Sequence, residues 1–142
     1  MGKESEFQVL IAEDESHVAK LLLVNLQRVG YLVDTVKTTV DARSLLGEKD
    51  YDLVVCDLNI SGYEDGLELL KEQRARSDVF WIMITNYASK DTIAMANQEG
   101  CDRWLRKPFS PLALVAVAKE VFEWKHGGAP RPQRENRTDL GK

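Results

Sequence analysis

Cysteine is scarce, with two in 142 residues. No disulfide framework can therefore hold this chain together, and neither Cys56 nor Cys101 has a partner at the CxxC or CxxH spacing of a metal site. Each falls beside or inside an apolar run and reads as a small buried hydrophobe. No apolar stretch approaches the ~18–20 residues that a membrane span needs. The opening Met1-Gly2-Lys3-Glu4-Ser5-Glu6 lacks the basic-then-apolar layout of a secretory leader. Glu6 stands where an N-myristoylation signal wants Ser or Thr. A cytoplasmic location with no membrane contact is the expectation. Positive charge is also not in excess. The net charge is −4, which argues against direct nucleic-acid binding by the chain as a whole.

What is present is divided unevenly. Residues 1–124 carry −7, and residues 125–142 carry +3. Along the acidic body, strand-like runs alternate with helical periodicity. Phe7–Ala12 is a first apolar run, followed by the acidic Glu13-Asp14-Glu15. Ser16 can cap a helix whose apolar positions are Val18, Leu21, Leu22, Leu26 and Val29, with Gly30 as a stop. Tyr31–Val36 is a weaker strand, and Thr38 or Thr39 can start a helix that ends near Gly47. Tyr51–Cys56 is the strongest strand and precedes a helix that runs to about Arg76. Val79–Ile84 is a fourth strand, and Ser89 caps a helix that Gly100 ends. Arg103–Arg106 is a short fifth strand. Ser110 with Pro111 opens the last helix, which carries Leu114, Val117, Ala118, Val121 and Phe122 on one stripe.

Strands that are apolar on both faces and alternate with helices predict a parallel sheet covered on both sides. Right-handed crossovers make it a doubly wound α/β sheet of five strands. The expected division is an extension over residues 1–6, a folded body over 7–124, and a flexible basic tail or linker over 125–142. The last rests on the Pro/Gly-rich Gly127–Arg134, which has no apolar period.

Polar residues fall at informative places. In open α/β sheets, ligands bind outside the carboxyl ends of the strands. There the first strand ends in Glu13-Asp14, the third in Asp57, the fourth in Thr85 and the fifth in Lys107. Three carboxylates at one edge repel unless a cation joins them, and an all-oxygen set suits Mg²⁺. A carboxylate is a usable nucleophile for an aspartyl-phosphate. The lysine would neutralise an incoming phosphoryl group, and the threonine hydroxyl would hydrogen-bond it. Singly, each residue has an ordinary role: Asp57 as a turn former, the acidic run as charge at a helix N-terminus, Lys107 as a solvated cation.

Together these residues resemble the response-regulator receiver domains, the CheY-like family of two-component signalling. The resemblance covers residues 7 to about 124. It rests on the acidic pair Glu13 and Asp14, on Val54-Val55-Cys56-Asp57-Leu58, on Met83-Ile84-Thr85-Asn86 and on Leu105-Arg106-Lys107-Pro108-Phe109. It implies a flavodoxin-like fold with strand order 2-1-3-4-5, an order long associated with CheY. It implies Asp57 as phosphoacceptor and Mg²⁺ held by Asp14, Asp57 and the main-chain carbonyl of Asn59, with Glu13 acting through water. Thr85 resembles the switch hydroxyl, Lys107 the family's lysine with a cis bond to Pro108, and Trp104 the aromatic that swings inward on activation. Asn59 and Tyr87 stand at positions that set the lifetime of the phosphorylated form. A Tyr87 ring covering the acyl phosphate would slow hydrolysis about tenfold. Implied partners are a histidine kinase or phosphotransfer protein and a downstream protein. A homodimer through the fourth helix, fifth strand and last helix is a further option.

Three features depart from the family pattern. The span from Asp57 to Gly66 is one residue longer than usual, with Ser61 near a common proline. Asn86 replaces a small residue and could narrow the phosphoryl pocket. Trp104 is bulkier than the usual aromatic. Two other readings stay open. A phosphatase of the haloacid-dehalogenase type would need an acid where Asn59 stands. A pseudo-receiver would keep the fold as an interaction module without phosphorylation. Whether the chain stands alone or belongs to a larger regulator is also open.

Overall fold

The computed structural model describes residues 3–134. After a 3-10 turn at Glu4–Glu6, the elements follow in strict alternation. They are β1 (Gln8–Ala12), α1 (Ser16–Val29), β2 (Leu32–Val36), α2 (Thr39–Glu48), β3 (Leu53–Asp57), α3 (Asp65–Arg74), β4 (Phe80–Thr85), α4 (Lys90–Gln98), β5 (Arg103–Arg106) and α5 (Pro111–Gly127). All neighbouring strands are parallel, in the order β2-β1-β3-β4-β5. The doubly wound α/β fold and its winding are those expected from the sequence.

Side-chain alternation along each strand sorts the core into two layers. On one face Val9, Ile11, Leu53, Val55, Phe80, Ile82 and Ile84 meet Leu22 and Leu26 of α1 and Leu114, Ala118 and Val121 of α5. On the other, Leu10, Ala12, Val54, Cys56, Trp81 and Met83 meet α2, α3 and α4 through Ala42, Leu69, Leu70, Ile93 and Ala96. β3 and β4 are central and buried at every position, which is why their sequences are apolar on both faces. β2, at the edge, is partly exposed.

Helix starts follow local chemistry. Thr38, Ser89 and Ser110 each accept a backbone N–H of the first turn, at Asp41, Thr92 and Leu112 respectively, contacts typically worth about 1 kcal/mol each. α1 departs from expectation. Its cap position is Glu15 without a side-chain cap bond, and Ser16 is already helical. Glu15 instead sends its carboxylate to Lys107. Gly30 closes α1 at φ 109, a left-handed conformation that favours glycine.

α5 continues to Gly127, past the boundary drawn at Trp124, and residues in the segment 129–134 contact the domain. The Arg131 guanidinium lies 4.6 Å from the Trp124 ring centre and 5.6 Å from that of Phe80. Arg131 and Arg134 both reach Asp102, at 3.2 and 3.3 Å, and Arg103 donates to the Gln133 carbonyl at 3.1 Å. A proline-rich, aperiodic segment can still dock where a buried carboxylate needs cations. The rest of the expected tail, residues 135–142, lies outside the described residues.

Candidate phosphoryl site

The carboxyl ends of β1, β3, β4 and β5 meet at one edge. Lys107, just beyond β5, is the centre of the cluster. Its Nζ lies 3.0 Å from Asp57 Oδ2, 3.1 Å from Glu13 Oε1 and 2.9 Å from Glu15 Oε1. The peptide between Lys107 and Pro108 is cis. The Lys107 amide donates to the Thr85 carbonyl at 2.8 Å, which ties the end of β4 to the lysine's own backbone.

Asp57 is 7% exposed. Its Oδ1 accepts the Asn59 amide at 2.9 Å, and its Oδ2 faces Lys107. Glu13 is completely buried, whereas Asp14 is exposed. Glu13 Oε2 accepts the Glu15 amide at 3.0 Å. Its Oε1 sits within ion-pair range of Lys107 but receives no aligned hydrogen bond. Burial pushes the Glu13 carboxyl up to about 7, and the neighbouring Asp57 adds to the push against the Glu15 amide and Lys107. For Lys107, burial works against the charge, but hydrogen bonds to Glu15 and Asp57 outweigh it and hold the ammonium above the ordinary lysine range. The hydrogen bond to Lys107 lowers Glu15 in turn.

One oxygen each from Glu13, Asp14 and Asp57 lie within 4.8 Å of one another. With Glu13 Oε1 lacking an aligned donor, this all-oxygen set fits a hard divalent cation. Cys56, beside Asp57, carries a thiol that burial holds well above its usual range, so it stays protonated.

The remaining expected residues are arranged less simply. Thr85 is buried, and its hydroxyl donates to the Tyr87 carbonyl at 2.8 Å while accepting the Tyr87 amide at 3.2 Å. Trp104 is 2% exposed and already inward, with Nε1 donating to Asn97 Oδ1 at 3.1 Å. Tyr87 is 60% exposed. Its ring is mostly in solvent, which does not support the expectation that it covers the acyl phosphate. Asn86 is exposed and lines a groove of about 330 Å³ beside Lys107. The lengthened loop after Asp57 is pinned rather than loose. Leu58 and Ile60 are buried, Ser61 Oγ accepts the Thr39 amide at 2.9 Å, and Asn59 Oδ1 accepts the Glu64 amide at 2.7 Å. Sequence reasoning gave Glu15 no role in the site and missed Glu64. For Glu15 the acidic run after β1 was a usable signal. For Glu64 there was none.

Residues 9–119 match the family model of the response regulator receiver domain. The chain belongs to that family. This receiver domain is 29% identical over 122 residues to the transcriptional regulatory protein ResD of Bacillus subtilis (strain 168), a match covering 86% of this chain and 50% of the relative. It thus spans about half the length of that curated relative. Among solved structures, a CheY-like receiver domain protein from Methanospirillum hungatei JF-1 shares the fold. Its TM-score is 0.79 at 24% identity, covering 87% of this chain and 98% of that one. The beryllofluoride-activated NtrC4 receiver domain dimer aligns with a TM-score of 0.75 at 30% identity, covering 82% and 97%. The receiver domain is a phosphoacceptor module that catalyses only its own phosphorylation and dephosphorylation, and the family match removes the dehalogenase-type reading. No helix among the described residues is long and apolar enough to cross a membrane.

Proposed function

We propose that Asp57 is the residue that takes the phosphoryl group, from a histidine kinase or phosphotransfer protein. The observation that carries this reading is the convergence on one buried carboxylate. Asp57 Oδ2 lies 3.0 Å from Lys107, and oxygens of Asp57, Glu13 and Asp14 gather within 4.8 Å. An Asp57 oxygen forms the new bond to phosphorus as the bond from phosphorus to the donor's imidazole nitrogen breaks. The bond's electron pair leaves with that nitrogen. Hydrolysis reverses the modification: a water oxygen bonds to phosphorus, and Asp57 departs as a carboxylate. Lys107 offsets the charge of the phosphoryl oxygens, and Thr85 exchanges its bond to Tyr87 for one to the phosphoryl group. Asp14, Asp57 and the Asn59 main-chain carbonyl would hold Mg²⁺, with Glu13 acting through water. When bound, Mg²⁺ neutralises the phosphoryl oxygens and helps to align them.

The groove beside Lys107, lined by Val18, Leu21, Leu22, Pro108 and Phe109, supports docking of the donor protein next to the acceptor. Output goes to a downstream protein, or to a second copy through the face of α4, β5 and α5. The dimeric NtrC4 receiver supports pairing with a second copy as a mode of output. The Asp57 assignment is tested by exposing the parent and Asp57→Ala proteins to Mg²⁺ and a small phosphodonor, with intact-mass detection. The parent gains one base-labile phosphoryl group and the variant gains none. Equal labelling of both would place the acceptor elsewhere. An unlabelled parent, even with several donors and a cognate kinase, would mean an interaction module that phosphorylation does not control.

A further inference from the structure

A continuous run of hydrogen bonds leaves the phosphoacceptor and ends on α4. Asp57 Oδ1 accepts the Asn59 amide, and Asn59 Oδ1 accepts the Glu64 amide. The Glu64 carboxylate accepts the Thr92 hydroxyl. Thr92 Oγ1 in turn accepts the Ser89 hydroxyl at 3.0 Å, and Ser89 Oγ accepts the Thr92 amide at 3.1 Å. Every donor in this run is used once. Ser89 is the cap of α4 and Thr92 lies in its first turn, 4% exposed.

Glu64 is the unusual member. It has φ 59, the only positive φ on a residue other than glycine among the described residues. That left-handed conformation is unfavourable for a residue with a Cβ. The turn lets one residue bond the loop through its amide, α4 through its carboxylate and α3 through its carbonyl, which accepts from Leu67 at 3.0 Å.

The linker that follows β4 is therefore held at two places. Thr85 holds it at Tyr87. Glu64 accepts the Thr92 hydroxyl, and Thr92 in turn holds Ser89, the residue that ends the linker. We infer that Glu64 is a positioning residue that ties the phosphoacceptor loop to the start of α4, so that the linker shifts only when this tie is released or redrawn. The inference rests on Asp57 as the acceptor for its trigger, but the tie itself exists without phosphorylation. A phosphoryl group on Asp57 and a cation at the Asn59 carbonyl both act on the first residues of the run. Their effect reaches α4 without passing through Trp104.

The test is amide exchange over residues 86–95 in full-length parent, Glu64→Ala, Glu64→Gln and Thr92→Val proteins, with and without Mg²⁺ and beryllofluoride. Without ligand, exchange in this segment rises about fivefold or more in Glu64→Ala and Thr92→Val. It stays near parent in Glu64→Gln, whose amide oxygen still accepts the Thr92 hydroxyl, while α1 and α5 exchange as in the parent. Adding beryllofluoride then raises exchange in the parent and adds little in Glu64→Ala. Parent-like exchange of residues 86–95 in unliganded Glu64→Ala would overturn the tie, whatever the fate of Asp57. A full beryllofluoride response on top of the Glu64→Ala increase would overturn its coupling to the acceptor.

Discussion

A carboxyl group buried completely between a lysine and a second carboxylate is costly to ionise, and Glu13 occupies that position. Its folded-state value of about 7 lies above the ordinary 4.5. The folded chain therefore holds a proton that the unfolded chain has released. That contribution is intact below pH 4.5 and lost once pH passes about 7. In metal-free buffer, the stability of Glu13→Gln relative to the parent should rise between pH 5 and pH 8, by at most about 3 kcal/mol. Urea unfolding with a chelator at both pH values measures it, and a difference that does not change with pH would refute it. Tyr87 gives a second prediction at this scale. Because its ring is 60% exposed, Tyr87→Ala should lose phosphate within about twofold of the parent rate, not tenfold faster. First-order decay of the two phosphorylated proteins decides this, and a tenfold gap would show that the ring closes over the site after phosphorylation.

The turn into α3 depends on close approach. A methyl group at Gly66 would lie 2.6 Å from the Asp57 carbonyl oxygen and 2.9 Å from Leu58. All of those atoms are backbone, so nothing nearby can rotate away. Gly66→Ala should cost about 1–3 kcal/mol or more and displace Asp57 from Lys107. Denaturant titration combined with phosphoryl uptake tests both parts, and a variant with parental stability and uptake would show that the loop gives way freely. This loop also marks where sequence reasoning stopped. Asp57, Thr85 and Lys107 could be placed because strand ends are set by local apolar runs, and parallel winding brings those ends to one edge. Glu64 could not be placed. Its role depends on a distant helix and on a left-handed backbone that a glutamate does not advertise. Asn59, read as an orienting group for water, has its side-chain oxygen already committed to Glu64.

Across the whole molecule, charge is arranged by position more than by segment. The acidic edge lies at the carboxyl ends of the strands. The strongest cationic convergence lies at the opposite end of β4 and β5, where completely buried Asp102 receives Arg74 at 3.2 Å, Arg131 and Arg134. It also accepts the Trp81 amide at 2.9 Å. The division into an acidic body and a basic tail was visible in composition. That two of the tail's arginines serve a carboxylate inside the body was not, because Asp102 looks like any residue that follows a helix. Asp102→Asn keeps an acceptor for Trp81 but removes the anion shared by three guanidinium groups, and should cost about 3 kcal/mol. Arg131→Ala leaves two of those groups in place and should cost about 1 kcal/mol. Parallel urea titrations rank the two, and an equal or reversed order would mean that stacking on Trp124 matters more than Asp102. The same docking has a practical side. Since α5 carries the chain from the phosphoryl edge to the far end of the sheet, and Arg131 and Arg134 clamp it there, a fluorophore or surface tether on exposed Gln133, introduced as Gln133→Cys, would lie away from the acceptor. A biosensor immobilised by that handle would present Asp57 to the solution.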